Sequence, residues 1–426
     1  MVNSVDQAVS MIHGNGNGGS VTVDVNQSIY TNGSYSYGVI AGSFGGGGGI
    51  LIGSNGVTAE QGQGLGDGGS VSVTVAKNKT VAVYGSHSTA IWTKSSNGKD
   101  DPTVNVEAGA SVIGGANGVG VYLGGPINTL NNHGLIKTTD ELLGMSITSD
   151  GGSSTINNSG ETRGSVQLGG TNNVFNNLTG GLINAGSSLE LGTGGLLNNA
   201  GVLRSGGGDP TAVTVLHGDF VQSSGGSLII GVSPSDTGSG QFVVNGNANV
   251  SGSIGSAFSS DATITKGKLH HSSVFTTSGS FVSGGLTGAN TAMVQNDVSF
   301  GSTNSVDLDT TVNFTPQGLS SDGIRYGSAL SALQSRGSTP LMNYVVGSLV
   351  TIPTVGMLDQ TYSSLAGNAV SSVVQTGLQA AQGGMVGFSE QADRWRATGG
   401  RRESDGVNSW LAPFGGTESI TANSGN

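Results

Sequence analysis

The chain contains no cysteine, which excludes a disulfide framework and a thiolate metal site alike. Proline is scarce, with 8 among 426 residues, and glycine keeps no period of three, so a collagen-like triple helix is excluded. Charged residues make up only 10% of the chain and aromatics 5%. A disordered chain would instead carry high charge and little Val, Ile or Leu. No run approaches the ~20 apolar residues of a membrane-spanning helix. Met1 to Ser10 has neither a basic start nor a long apolar core, so an exported protein would carry its signal outside this sequence. The net charge of −11 lacks the positive footprint that phosphates demand, and no nucleic-acid partner is expected.

What is present is glycine, at 78 residues more than twice the roughly 7% of ordinary proteins. Asn, Ser and Thr supply most of the polar content. Val, Ile and Leu recur in short alternating runs, which is how half-buried strands read. Two related blocks open the chain: Gly19-Ser-Val-Thr-Val-Asp-Val25 and Gly69-Ser-Val-Ser-Val-Thr-Val75, offset by 50 residues. That offset suits two coils of about 25 residues each. Asn pairs then recur at Asn131-Asn132, Asn157-Asn158, Asn176-Asn177 and Asn198-Asn199, spaced by 26, 19 and 22 residues. Strand-like runs such as Ser165-Val-Gln-Leu168 and Ser188-Leu-Glu-Leu191 lie between them.

An irregular period near 22 fits the coils of a parallel β-helix better than propeller blades. Each coil buries too few Val, Ile or Leu side chains to stand alone, so coils stack at ~4.8 Å and pair backbones above and below. Asn and Gly suit the corners because both tolerate left-handed backbone angles. Stacked Asn side chains can also form hydrogen-bonded ladders. The expected fold is all-β, a right-handed parallel β-helix (solenoid) of about 13 coils and ~60 Å, followed by a helical linker.

From Gly208 the pattern loosens but stays β, through Leu216 to Gln222 and Gly225 to Ile230, and on to Val306 to Phe314. This reads as a cap on the rod. After Pro316 the period turns helical. Asp322 is a candidate cap for a helix carrying Ile324, Leu330 and Leu333, and Pro340 opens a second with Leu341, Tyr344, Val345 and Leu349 on one face. Met357 to Gln382 and Met385 to Ala397 continue the helical reading, and Val407 to Phe414 reads as one strand.

That order of rod, cap, helical linker and first strand resembles the autotransporters of Gram-negative bacteria. The glycine run Gly38 to Gly49 is similar to their passenger repeats. Gly218-Asp-Phe-Val-Gln222, Gly225-Gly-Ser-Leu228 and Val244-Asn-Gly-Asn-Ala248 resemble the region that helps a passenger fold after export. Leu358-Asp-Gln360 with Leu365-Ala-Gly-Asn-Ala369 is similar to the linker before the translocation barrel, and Trp410-Leu-Ala-Pro-Phe-Gly-Gly416 to the barrel's opening strand. The resemblance implies β-helical passenger repeats over 1–207, an autochaperone-like cap over 208–315, a linker over 316–406 and the start of a truncated outer-membrane β-barrel over 407–426. Trp410 and Phe414 would then be interface girdle residues. A bacterial barrel needs at least eight strands of about 10 residues, so the pore would lie outside this sequence. Met385 to Ala397 holds no Asn, so self-cleavage at an Asn pair there is not expected. The implied role is a cell-surface adhesin or autoaggregation factor. Its implied partners are the outer membrane and the barrel-assembly machinery, reached through the absent barrel, and a host or bacterial surface ligand.

No catalytic, cofactor-binding or metal site is expected. The six histidines, His13, His87, His133, His217, His270 and His271, show no zinc-ligand spacing. Gly62 to Asp67 gives one loose match to a glycine-rich calcium repeat without a series. No Gly-x-Ser-x-Gly nucleophile elbow occurs. Two other readings stay open. One is a polysaccharide-degrading β-helix enzyme, for which Asp100-Asp101 or Asp140-Glu141 with Lys94, Lys99 or Lys137 would be the acid/base set. The other is a structural stalk for a head lying upstream.

Overall fold

The computed structural model describes residues 15–365 other than 54–55, 61–63, 97–101, 235–237, 260 and 302–303. Short β-branched runs bounded by Gly, Asn and Ser make strands of two to eleven residues that pair in parallel with the next coil rather than with their sequence neighbours. Ten such strands, from Val21–Val25 to Phe281–Ser283, form one face. A second face runs from Ile29–Thr31 to Thr287–Gly288, and a third from Tyr37–Ser43 to Gly267–Thr277. Two long strands, Glu161–Leu168 and Leu182–Glu190, pass straight through the corner between the second and third faces and join them into one sheet. The result, among the described residues, is a three-faced parallel solenoid of ten coils.

Inward columns in direct register fill the centre. On the first face Val23, Val73, Val104, Leu130, Ile156, Phe175, Leu197, Phe220, Ala248 and Phe281 lie in direct register. Ile91, Val121, Ile147, Val166, Leu189, Leu216 and Val244 do the same on the third. All these residues are buried except Val23 and Phe281, at the two ends. Each fully buried Val, Leu, Ile or Phe among them contributes about 1.5–3 kcal/mol of apolar burial, realised only when a coil sits above and below.

Coil number and length differ from the sequence reading. The two opening blocks pair directly, Val21 opposite Val71 through Val25 opposite Val75, so the 50-residue offset is one coil, not two. The surplus is an excursion holding the antiparallel hairpin Gly49–Gly53 and Gly56–Glu60. Corner loops around Glu141–Leu143 and Ser205–Gly208 lengthen two further coils. Ten coils at ~4.8 Å give a rod of about 43 Å, shorter than the 13 coils and ~60 Å expected.

Residue 208 lies inside the stack: Val213–His217 pairs in parallel with coils on both sides. Antiparallel pairing within the sheets begins where Gly267–Thr277 meets Ser305–Val312, which in turn pairs with Val294–Phe300. Among the described residues three helices follow, α1 (Ser321–Ser335), α2 (Pro340–Leu349) and α3 (Val355–Leu365). They share a second core with this end of the stack, built on Met293, Phe314, Leu330, Val346, Leu358 and Tyr362. The Tyr362 hydroxyl donates to the Phe314 carbonyl at 3.0 Å. Ser320, not Asp322, caps α1, its hydroxyl accepting from Gly323 N while donating to Asp359 of α3 at 2.8 Å. Leu330 is buried as the spacing predicts, whereas Ile324 and Leu333 are exposed. In α2 the buried positions are Asn343, Val346 and Leu349, and Leu341 and Tyr344 face outward. The helix periodicity was legible, but the choice of buried face was made by where the last coil lies. Among the described residues no helix is long and apolar enough to cross a membrane.

Candidate functional surface

The Asn pairs sit at the ends of first-face strands, not at corners, and form two ladders. The second Asn of each pair points inward. Asn132 donates to Asn158, Asn158 to Asn177 and Asn177 to Asn199, each at 2.8 Å, and Asn199 donates to Gln222 at 2.9 Å. Each of these amides also donates to a backbone carbonyl of the next coil: Glu161, Leu182, Val202, Ser227 and Ser253 in turn. Both donors of every buried amide are therefore satisfied, which is the condition for a buried polar network to stabilise rather than disrupt. The first Asn of each pair points outward and its ladder runs the other way. Asn198 donates to Asn176, Asn176 to Asn157, Asn157 to Asn131 and Asn131 to Asn105, at 2.9–3.0 Å. With opposite donor directions, the two rows set their side-chain dipoles against each other.

Glycine holds one corner. Gly152, Gly170 and Gly192 all take left-handed angles, φ +71, +77 and +69, and a Cβ on Gly170 would lie 1.9 Å from the Gly152 carbonyl oxygen. Only a residue without a side chain lets coils turn there at this spacing. The left-handed asparagines are others, Asn78, Asn117, Asn172 and Asn304.

The outward side of the second face carries a charge network. Arg163 reaches Glu141 and Glu161 at 2.6 Å each, Lys137 pairs with Glu141, and Asn184 donates to Glu161 at 2.7 Å. Burial would raise the Glu141 pKa, but hydrogen bonds from Lys137 and Arg163 outweigh it and hold the carboxyl below its usual range. Glu141 itself is held at φ +55.

The third face is the more varied surface. Its outward column begins with Ile40, Trp92 and Tyr122 in register. The Trp92 and Tyr122 rings stack, with centroids 5.6 Å apart and planes 7° from parallel. Trp92 points outward yet is only 5% exposed, and the inserted hairpin meets this face where Val57 N donates to the Tyr37 hydroxyl at 2.9 Å. Burial first, and Asp150 second, push the Tyr122 phenol well above its ordinary pKa. Asp150 is ion-paired with Lys94. Further along, the column continues through Thr148, Gln167, Glu190, His217 and Asn245. Ser188 donates to Glu190 at 2.7 Å, and His217 Nε2 lies 3.2 Å from the same oxygen. Thr148, Gln167, Ser188 and Glu190 line an open depression of ≈ 550 Å³. Hydroxyl, amide, carboxylate and imidazole thus follow one another along one strip, a surface that can hydrogen-bond an extended polar partner.

The residues weighed as an acid/base set are not gathered into one site. Lys94 lies on the third face with Asp150, whereas Lys137 and Glu141 lie on the second. Lys99, Asp100 and Asp101 lie outside the described residues, as do His13 and the stretch Met385 to Gly416. His87 stacks on Tyr35, His133 bonds Ser159, and His270 bonds Asp309 at 2.6 Å. Among the described residues no group of three His, Asp or Glu side chains could hold a metal ion. Sequence reasoning missed the Lys137–Glu141–Arg163–Glu161 network and the third-face strip. Aligning coils on the Asn pairs would have brought Lys137 beside Arg163, but not the loop that delivers Glu141. No family model, no curated protein and no solved structure matches the chain.

Proposed function

We propose that this chain is the surface-displayed passenger of an autotransporter, with part of the linker toward its barrel, and that it serves adhesion or autoaggregation. The observation that carries this reading is the asymmetry of the rod. Among the described residues its C-terminal side is closed by antiparallel strands and three helices that share a second core with it, whereas the coil at Val21–Ser43 pairs with one neighbour. A chain whose C-terminal end emerged first would offer a finished end on which to stack the earlier coils one by one, since each coil gains its burial from its neighbour. The winding in this proposal is right-handed, the hand that parallel crossovers adopt in about 98% of cases. The adhesive surface would be the polar strip of the third face from Thr148 to Asn245.

The test is surface exposure. Intact cells making the protein are treated with an impermeant label and with protease, and the chain is expected to be labelled and shaved. Labelling only after lysis overturns the reading. Removing residues 208–315 should leave an exported passenger that protease degrades; full resistance without them counts against nucleation by this end.

A further inference from the structure

Asn–Gly dipeptides recur along the chain, and each is a self-reactive position. Glycine has no side chain to shield its amide, so that nitrogen can reach the carbonyl carbon of the asparagine side chain before it. The fold treats these pairs differently. Gly18 N donates to the Asp67 carbonyl at 2.7 Å and Gly118 N to the Gly115 carbonyl at 3.0 Å, so both nitrogens are occupied. Asn117 is also held at φ +51, with its own N–H on Asp140. Asn245–Gly246 lacks these restraints. Asn245 is exposed at the end of the strand Gln241–Asn245, and pairing toward the next coil stops one residue earlier, at Val244 opposite Thr277. Among the described residues Gly246 N has no acceptor, and only its carbonyl is used, by Gly279 N at 2.8 Å.

The side chains around Asn245 supply a route for protons. His217 lies opposite Asn245 in register. Its Nδ1 is 3.4 Å from Asn245 Nδ2, and its Nε2 is 3.2 Å from Glu190 Oε1. The Glu190 carboxylate accepts from Nε2–H, which turns Nδ1 toward the amide and balances the charge of the ring whenever Nδ1 takes up a proton. The relay therefore ends on the nitrogen that must leave.

We propose that Asn245 is a self-modification site, converted by intramolecular attack of Gly246 N with His217 as the acid–base partner. Gly246 N loses its proton, by way of solvent, to His217 Nδ1 and bonds to Asn245 Cγ. The Cγ–Nδ2 bond then breaks as the imidazolium returns that proton to Nδ2, which leaves as ammonia. The product is a five-membered cyclic imide, and water opens it at either carbonyl to aspartate or isoaspartate. No electrons are gained or lost. Asn245 thereby becomes a carboxylate beside His217 in the polar strip, and the isoaspartate form adds a methylene to the backbone there. This inference stands apart from the surface-display reading, because it concerns the purified chain alone.

The experiment is mass spectrometry of the full 426-residue chain kept warm at neutral pH, with fragmentation to place each gain of about 1 Da. Enzymatic methylation specific for isoaspartate identifies that product. In the native chain Asn245 is expected to convert at least about tenfold faster than Asn117. His217→Gln keeps a hydrogen-bonding tip but cannot carry the proton, and should slow Asn245 by about tenfold without moving Asn117. Asn117 doubles as the control for folding, because unfolding releases Gly118 N. Should that variant unfold, Glu190→Gln removes the charge that balances the imidazolium and is expected to slow Asn245 severalfold. In urea the relay is lost, and the two asparagines should convert at similar rates. Equal native rates at Asn245 and Asn117, an Asn245 rate unaffected by both variants, or an Asn245 advantage that persists in urea overturns the proposal.

Discussion

Asn158 is the best place to measure what the inner amide ladder contributes. It is fully buried, and its side chain serves four groups. It accepts from Asn132 and Thr162 and donates to Asn177 and to the Leu182 carbonyl. Asn158→Leu keeps the approximate volume but orphans all four. A buried donor or acceptor left unpaired costs about 1–3 kcal/mol. Allowing the Thr162 hydroxyl to rotate elsewhere and the coil to relax, about 3–6 kcal/mol is expected. The outer-row control, Asn157→Leu, removes two bonds, to Asn131 and Asn176, where water can replace the amide, and should cost only about 1 kcal/mol. Because a solenoid opens locally, the assay is amide hydrogen exchange resolved along the chain. Protection in coils around residues 153–190 should fall by two orders of magnitude or more, at about 1.4 kcal/mol per decade, while coils near Val73 are unchanged. Equal losses for the inner and outer variants would refute the claim that burial, rather than hydrogen-bond number, makes this ladder matter.

Gly170→Ala places a Cβ against the Gly152 carbonyl at a left-handed position and should cost at least about 2 kcal/mol in urea titration; a cost under half that would mean the corner can open. Phe242→Ala removes one ring of a buried aromatic cluster, where Phe242 meets Phe220 edge-on at 5.2 Å and Phe275 at 6.1 Å, and about 3–5 kcal/mol is expected by the same titration. The lowered Glu141 pKa predicts a contribution fully present above the unfolded value of about 4.3 and lost as pH falls through the lower folded value. Exchange protection around Lys137 and Arg163 should therefore decline on acidification below about pH 4, and Glu141→Gln should abolish that dependence.

Several features are legible in the amino-acid sequence alone. Alternation of Val, Ile and Leu with polar residues dictates strands because a pleated strand exposes alternate side chains to opposite faces. The recurrence of Asn-Asn dictates stacked coils, and its spacings of 26, 19 and 22 residues reappear unchanged as the separations of hydrogen-bonded amides. Sparse charge and missing cysteine limit the chemistry available. Other properties are decided in three dimensions. Whether 50 residues make one coil or two depends on an excursion that leaves the rod and returns, and a repeat offset is blind to that. Which Asn of each pair turns inward follows from strand register, since a slip of one residue exchanges the two faces. Glu141 joins Arg163 across 22 residues only because a corner loop lifts it beside the next coil. The buried stripe of each helix is set by the shape of the last coil, a surface made of residues distant in sequence. Local pattern thus specifies the strands and their repetition, while long-range stacking chooses the partners, because every coil draws its burial from its neighbours.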